Sequence, residues 1–434
     1  MSIKFKDIIV IGFALFAMFF GAGNLIFPPY LGVITGQEWY QGFLAFLFAD
    51  GGLALLGVIA LTRTNGDMKK LFTRAGTGVG ILIGTAMILC IGPFLAIPRT
   101  AATTFEIGIV PTLGNSINPI IFSIVFFAIT LLLTIRPSKV VDIVGAFLTP
   151  ALLICLIVLI VKGIVVPIGH PIDRVLVPSS IIEGIFDGYQ TMDGMAACIF
   201  AGIIISSVAQ KGYTDKSSMV KATIMAGIVA FLGMAIVYGG LTYLGASVSS
   251  QFGADAERTG LVVYITNAIL GSTGKVIVAI IVALACLTTA IGLTTACGNY
   301  FEELSNGKVK YTVTVVVVSV FSAVVSNFGV DQIIQIAAPI LGMIYPAVVT
   351  YIFLGLLNDV IKNNNVFRFA IWGALILGII SQLGSIAALK NVKFLVNAAK
   401  FMNTWPGHQF GFFWVVPVVV LAVLGLFVKS KSEK

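Results

Sequence analysis

Three stretches of this chain place polar or helix-breaking residues inside long apolar runs, where such residues are costly and need a reason. The first reads Phe19-Phe20-Gly21-Ala22-Gly23-Asn24-Leu25-Ile26-Phe27-Pro28-Pro29. Glycine and proline are the poorest helix formers, so this sequence resists a continuous helix. A Gly-x-Gly pair also serves close helix packing; Asn24 and the two prolines favour a break. The second reads Asp187-Gly188-Tyr189-Gln190-Thr191-Met192-Asp193-Gly194, with two carboxylates among glycines. The third, Ala285 to Thr295, is rich in hydroxyls, with Thr288 and Thr289 at its centre. Membrane threonines commonly bond the carbonyl four residues back, and beside a broken helix they are also candidate oxygen ligands for sodium.

The chemistry follows from the first break. A half-helix starting at Gly21 to Asn24 turns its free N–H groups and positive dipole end toward a buried carboxylate. The half-helix ending there leaves carbonyls near Ala17 and Phe20 that can replace the water around a small hard cation. One break thus supplies both poles.

The elements that must position these residues are membrane helices. Of 434 residues, 58% are apolar and 10% charged, a balance that no soluble domain of this length keeps in water. Segments of eighteen or more nearly uncharged residues recur, each able to cross a hydrocarbon core of about 30 Å. The alternating pattern of an outer-membrane barrel is absent, which leaves a helical bundle. About twelve spans are expected, over residues 7–33, 40–61, 78–105, 117–135, 140–162, 180–208, 218–246, 273–300, 309–326, 331–357, 367–389 and 410–428. The whole chain, 1–434, reads as one transmembrane domain, because the longest connections are too short to bury a core. One of them contains Thr259 to Leu270, apolar enough for a short helix on the outer face that is either a lid or packing. The first span is too long for a signal peptide and lacks a small-x-small cleavage site.

With the N-terminus inside, 18 of the 26 basic residues fall on inner segments and the rest at outer ends. That bias fits both termini being cytoplasmic in a bacterial inner membrane. The +8 net charge is scattered singly rather than gathered into a nucleic-acid patch. The five cysteines sit in apolar spans without metal-ligand spacing, and His170 and His408 lie in loops without a partner motif. No His-Glu-x-x-His pair, Gly-x-Ser-x-Gly elbow or Walker lysine appears, so a membrane-embedded enzyme is a remote alternative. A passive channel needs a polar lining repeated around an axis, which spans 4, 9 and 12 do not supply. Interruptions in spans 1 and 6, five helices apart, mark inverted-repeat transporters that bind substrate near the membrane midplane.

At these residues the chain resembles the bacterial branched-chain amino acid:cation symporter family (BrnQ-like), within the larger group of LeuT-type transporters. The resemblance runs almost end to end and is carried by Gly12 through Pro29 in span 1 and by Ile91-Gly92-Pro93-Phe94-Leu95-Ala96-Ile97-Pro98-Arg99-Thr100 with Phe105-Glu106 in span 3. Pro137-Ser138-Lys139, Gly188-Tyr189 with Thr191-Met192-Asp193, and Val325-Ser326-Asn327-Phe328-Gly329 through Tyr345-Pro346 extend it.

The resemblance implies a five-plus-five inverted repeat, the first over about 7–162 and the second over about 180–357. Helices 1 and 6 are broken, and two further helices follow at about 367–389 and 410–428. It implies sodium-coupled import of leucine, isoleucine or valine by alternating access, with no cofactor beyond the coupling ion and no obligate protein partner. The sodium ligands it implies are the carbonyls of Ala17, Phe20 and Ala285 and the hydroxyls of Thr288 and Thr289. The substrate carboxylate would meet Ala22, Gly23 and Asn24. Its ammonium would meet carbonyls near Phe19 and an unwound stretch from Gln190 to Asp193, beside Tyr189, with Thr191 and Asp193 as side-chain ligands.

Arg99 and Glu106, seven residues apart on one face of span 3 near its outer end, form either a gating ion pair or a solvated rim. Two departures stand out. Gln190 is polar where the family usually carries an apolar residue, which leaves the amino-acid preference open. Asp50, in the middle of span 2, has no counterpart in the family pattern; it titrates, pairs with a lysine, or lines a water pocket. Proton coupling through Asp50, Asp187 or Asp193 is the close alternative to sodium, as is carriage of another amino acid.

Overall fold

A computed structural model describes residues 3–135, 139–385 and 392–428. Pro137 and Ser138 of the motif above lie outside these residues, as do Arg136, Lys390, Lys429, Lys431 and Lys434 from the charge pattern. Helix is the only regular structure among the described residues. Among these residues eight helical stretches are long and apolar enough to cross a membrane, and shorter apolar helices cover Pro119–Ile135, Pro150–Val165 and Val415–Phe427.

Span 1 folds as α1 (Phe5–Phe19) and α2 (Ala22–Thr35). Between them, Phe20 and Gly21 take extended geometry, with φ/ψ of −72°/97° and −119°/−165°. Pro28 and Pro29 lie within α2 rather than ending it. Span 2 folds as α3 (Trp39–Leu47) and α4 (Leu53–Thr62), joined through a π-helical turn over Phe48–Gly52 that carries Asp50. After the short α5 (Met68–Phe72), span 3 starts as α6 (Thr77–Leu89). It kinks through a π stretch, Cys90–Phe94, where Gly92 leaves helical geometry and Pro93 has no N–H to donate. It resumes as α7 (Ala96–Thr103), loosens again over Thr104–Ile109, and ends in α8 (Val110–Leu113).

Two long helices follow, α9 (Pro119–Ile135) and α10 (Lys139–Val165). Span 6 comprises α11 (Ser180–Thr191) and α12 (Asp193–Gln210). The expected unwinding from Gln190 to Asp193 is narrower than the glycines suggest. Gln190 and Thr191 finish α11, Asp193 begins α12, and only Met192 leaves the helix, at φ 71° and ψ 12°.

Next come α13 (Lys216–Ser247) and α14 (Arg258–Leu304). The latter bends at Gly271, with φ 70°, which separates its first segment from the spanning part. That first segment covers the short helix expected at Thr259 to Leu270. The remaining helices are α15 (Tyr311–Val325), α16 (Val330–Leu356), α17 (Asn364–Ser385), α18 (Lys393–Met402) and α19 (Val415–Phe427). The segment at 390–409, expected as a plain loop, holds α18.

The broken helices pack crosswise. Both α1 and α2 lie on α13, while α11 lies on α3 and α12 on α4. Glycines permit these close crossings. A Cβ on Gly245 would fall 1.9 Å from the Pro29 carbonyl oxygen, and one on Gly184 would fall 2.3 Å from that of Gly42. On the outside, α15 exposes Val313, Val317, Val320 and Val324, a stripe at helical spacing suited to lipid.

Charged contacts gather at the two ends of the bundle. At one end Arg63 and Lys216 both reach Asp359, at 3.2 and 3.5 Å, and Arg74 donates to Asn358, Asn364 and the Ile361 carbonyl. At the other, Arg258 pairs with Asp331 at 2.9 Å and Arg174 donates to the carbonyls of Ser249 and Phe252.

Candidate functional site

The two breaks face each other across a small central cavity of about 40 Å³. Phe19, Gly21, Ala22, Gly23 and Asn24 line it from the first break, and Thr191, Met192 and Asp193 from the second. Ile91, Ala96, Arg99 and Thr100 complete it from span 3, and Thr289 and Leu293 from α14. This volume is far below the several hundred cubic ångströms of a typical ligand pocket.

Asn24 joins the two breaks. Its side-chain oxygen accepts from the Gly21 N–H at 3.1 Å, which fixes the start of α2. Its amide nitrogen lies 2.8 Å from Asp193 Oδ2 and 3.3 Å from Asp50 Oδ2, and also bonds the Tyr238 hydroxyl. An amide has two hydrogens, so three oxygens share them. Thr191 donates to the other Asp50 oxygen at 2.7 Å. Asp50 is wholly buried and Asp193 nearly so. Two carboxyl groups thus gather on one neutral amide inside a membrane bundle, with the Arg99 guanidinium bordering the same cavity.

Among the described residues Asp50 meets no lysine. Its partners include Asn24 of α2 and Thr191 of α11, so the π-helical turn that carries it aims it at both breaks.

Arg99 and Glu106 do not pair. Arg99 is 4% exposed and lies deep, its Nη1 donating to the Gln190 carbonyl at 2.8 Å. Glu106 accepts from the Thr259 hydroxyl at 2.6 Å and from the Val330 N–H at 2.9 Å. The seven-residue spacing implies one helical face only if the helix is regular; the kink at Gly92-Pro93 and the π stretch Thr104–Ile109 change both depth and direction. The contacts at this end of the bundle are instead made by Glu106 and by Arg258, whose guanidinium also lies 4.0 Å from the Tyr30 ring centre.

Of the other residues named from the sequence, Tyr189 and Gln190 stand behind the cavity wall. Tyr189 stacks on Tyr345, ring centres 4.3 Å apart, and the buried Gln190 side-chain oxygen has no hydrogen-bond partner. Among the proposed cation ligands, Thr289 borders the cavity, next to Gly21; Ala17, Phe20, Ala285 and Thr288 do not. Thr288 and Thr289 both donate to the Ala285 carbonyl, at 2.8 and 3.0 Å, the local bonding usual for membrane threonines. Asp187, 4% exposed, sits away from the cavity with one carboxylate oxygen unpartnered.

A larger cavity of about 430 Å³ lies on the side of Asp67, Lys69 and Glu303. One helix forms a wall of both cavities, since Cys198 and Ile199 of α12 border the larger and Ala196 and Phe200 the smaller. The Phe200 ring lies 6.3 Å from that of Phe19.

A family profile described as branched-chain amino acid transport protein matches residues 4–432. The chain belongs to the branched-chain amino acid transport family. It is 36% identical to the branched-chain amino acid permease BraB of Bacillus subtilis, with 98% of this chain and 96% of that protein covered. It is 33% identical to the permease BrnQ of Escherichia coli K12, with the same coverage. Among solved structures, the nucleobase-cation-symport-1 transporter Mhp1 with bound bromovinylhydantoin superposes with TM-score 0.63 at 14% identity, covering 96% of this chain and 91% of that one. MhsT in complex with L-phenylalanine superposes with TM-score 0.56 at 17% identity, covering 96% and 98%. These likenesses establish the LeuT-type fold. Membership of the branched-chain amino acid transport family makes the chain a multi-pass membrane transporter and not an enzyme.

Proposed function

We propose that this chain imports branched-chain amino acids, Leu, Ile and Val, by cation-coupled alternating access, with sodium as the coupling ion. The observation that carries the reading is the meeting of two helix breaks at one cavity, where the α2 N-terminus and the α12 carboxylate Asp193 come together. A zwitterion has complementary ends for such a site. The permease names of relatives at 33–36% identity support the substrate class.

The crosswise packing of α1 and α2 on α13, and of α11 and α12 on α3 and α4, supports a five-plus-five repeat. About twelve membrane helices in one domain, both termini cytoplasmic in a bacterial inner membrane, accord with the basic residues Arg63, Lys69, Arg74 and Lys216 gathering at one end. The larger cavity is then an inner vestibule, and Arg258–Asp331 with Glu106–Thr259 closes the outer side.

Sodium would sit where α1 ends, against Thr289. A proton is the second reading, favoured by Asp50 and Asp193 converging on Asn24. Leucine uptake into proteoliposomes separates them, with a sodium gradient at constant pH in one arm and a pH gradient without sodium in the other. Uptake driven by sodium alone, and lost in Thr289→Val, is the expected result. Uptake driven only by the pH gradient transfers the role to the carboxylates, and absence of leucine uptake in both arms overturns the carrier reading.

A further inference from the structure

Arg99 carries a full charge deep in the bundle, and among the described residues no carboxylate lies within 4.0 Å of it. One nitrogen, Nη1, donates to the Gln190 carbonyl, while the buried Nε has no partner. A guanidinium so placed is costly unless an anion completes its hydrogen bonding. The side chain borders the central cavity, and so do Ala22 and Gly23, whose N–H groups belong to the unbonded first turn of α2. The approach is close. A Cβ on Gly23 would stand 2.7 Å from Arg99 Nη2 and 3.2 Å from Cζ, so glycine at this position makes room for the guanidinium.

We propose that Arg99 binds the carboxylate of the amino-acid substrate, acting with the first turn of α2, and so determines that only carboxylate-bearing ligands are carried. Arginine suits the role because its planar fork presents two parallel N–H donors to a carboxylate. The free N–H groups at Ala22 and Gly23 border the same cavity and carry the same sign, while Asp193, bonded to Asn24 on that cavity, is left to the ammonium. The buried donor Nε, which has no partner among the described residues, gains one once the carboxylate is bound. The Nη1 bond to the Gln190 carbonyl ties span 3 to the end of α11, so the carboxylate that orders Arg99 also reports on the second break.

This inference rests on the carrier reading, and the test separates the two. Binding of leucine and of leucinol, which lacks the carboxylate, is measured on the purified full-length protein in detergent, with sodium present. The unaltered protein is expected to prefer leucine strongly. In Arg99→Gln, leucine binding should fall by roughly a hundredfold while leucinol binding changes little, so that the preference collapses. Arg99→Lys should fall between, keeping charge without the fork. Gly23→Ala leaves the guanidinium in the chain but displaces it, and should reduce the leucine-to-leucinol ratio as well. A helix-tethering role alone would weaken both ligands together, and an unchanged ratio in either variant overturns the proposal. If Arg99→Gln does not fold, the ratio in Gly23→Ala decides alone. A protein that binds neither ligand before substitution overturns the carrier reading itself.

Discussion

At the junction of α1 and α2 the chain leaves the helix over two residues, Phe20 and Gly21, both extended; between α11 and α12 it leaves over one, Met192, in the left-handed region. The first junction exposes N–H groups toward the cavity and is fixed by a side chain of its own helix, Asn24. The second presents a carboxylate, Asp193, and is fixed from outside by Asp50 through Thr191 and by Arg99 through the Gln190 carbonyl. Opposite signs at a shared site therefore come from unlike constructions. A break made by backbone extension offers donors, whereas one made by a left-handed turn keeps nearly all its hydrogen bonds and needs side chains to give it charge.

Removing the link between the two should have the largest effect. Asn24→Leu deprives both carboxylates of their shared amide and the Gly21 N–H of its acceptor, and leucine uptake should fall at least about a hundredfold, since a buried carboxylate left unpartnered is strongly unfavourable. Uptake by a folded Asn24→Leu protein within tenfold of normal would show that the breaks work independently. Next come the crossings that hold each break against its neighbour. Gly245→Ala and Gly184→Ala force a methyl against backbone, and each should lower thermal stability, by about 1–3 kcal/mol for overpacking. A melting temperature unchanged in both would mean that the crossings are looser than the distances indicate.

Met192→Val tests the second junction. A β-branched residue at φ 71° costs about 1–2 kcal/mol more than an unbranched one, so Met192→Leu should be the milder variant in melting and uptake. The smallest effect belongs to a residue that looks indispensable. Gly21 has an ordinary extended φ, and a Cβ there would meet nothing nearer than 3.8 Å. Gly21→Ala should keep uptake within about twofold, whereas Gly23→Ala should not. If the two alanine variants behave alike, the first junction depends on glycine flexibility rather than on space for Arg99.

The first break was legible because Gly21, Gly23 and Asn24 stand together in an apolar run. The second was legible in place but not in form, since methionine carries no signal for a left-handed turn and the neighbouring Gly188 and Gly194 serve close packing against span 2 instead. Asp50 stood out as an unexplained carboxylate. Its partners Thr191 and Asn24 are set by packing between distant segments, which a single sequence does not display. Arg99 was misplaced because the spacing to Glu106 presumes 3.6 residues per turn through a helix that departs from it twice. The pairing of Arg258 with Asp331 was missed for a related reason: a lone arginine at the start of a loop helix has no pattern to reveal it.

The π-helical turn at Phe48–Gly52 amounts to one surplus residue in span 2. Deleting a single residue there would let the backbone revert to ordinary α-helical bonding, and the isolated helix would gain from it. Everything beyond the deletion would then rotate by about 100° about the helix axis. Leu53, Ala54 and Val58, now buried, would swing out of the packed interior, and Asp50 would turn away from Thr191. The better helix would make the worse protein, so this position tolerates exchange of residues far more readily than a change in their number.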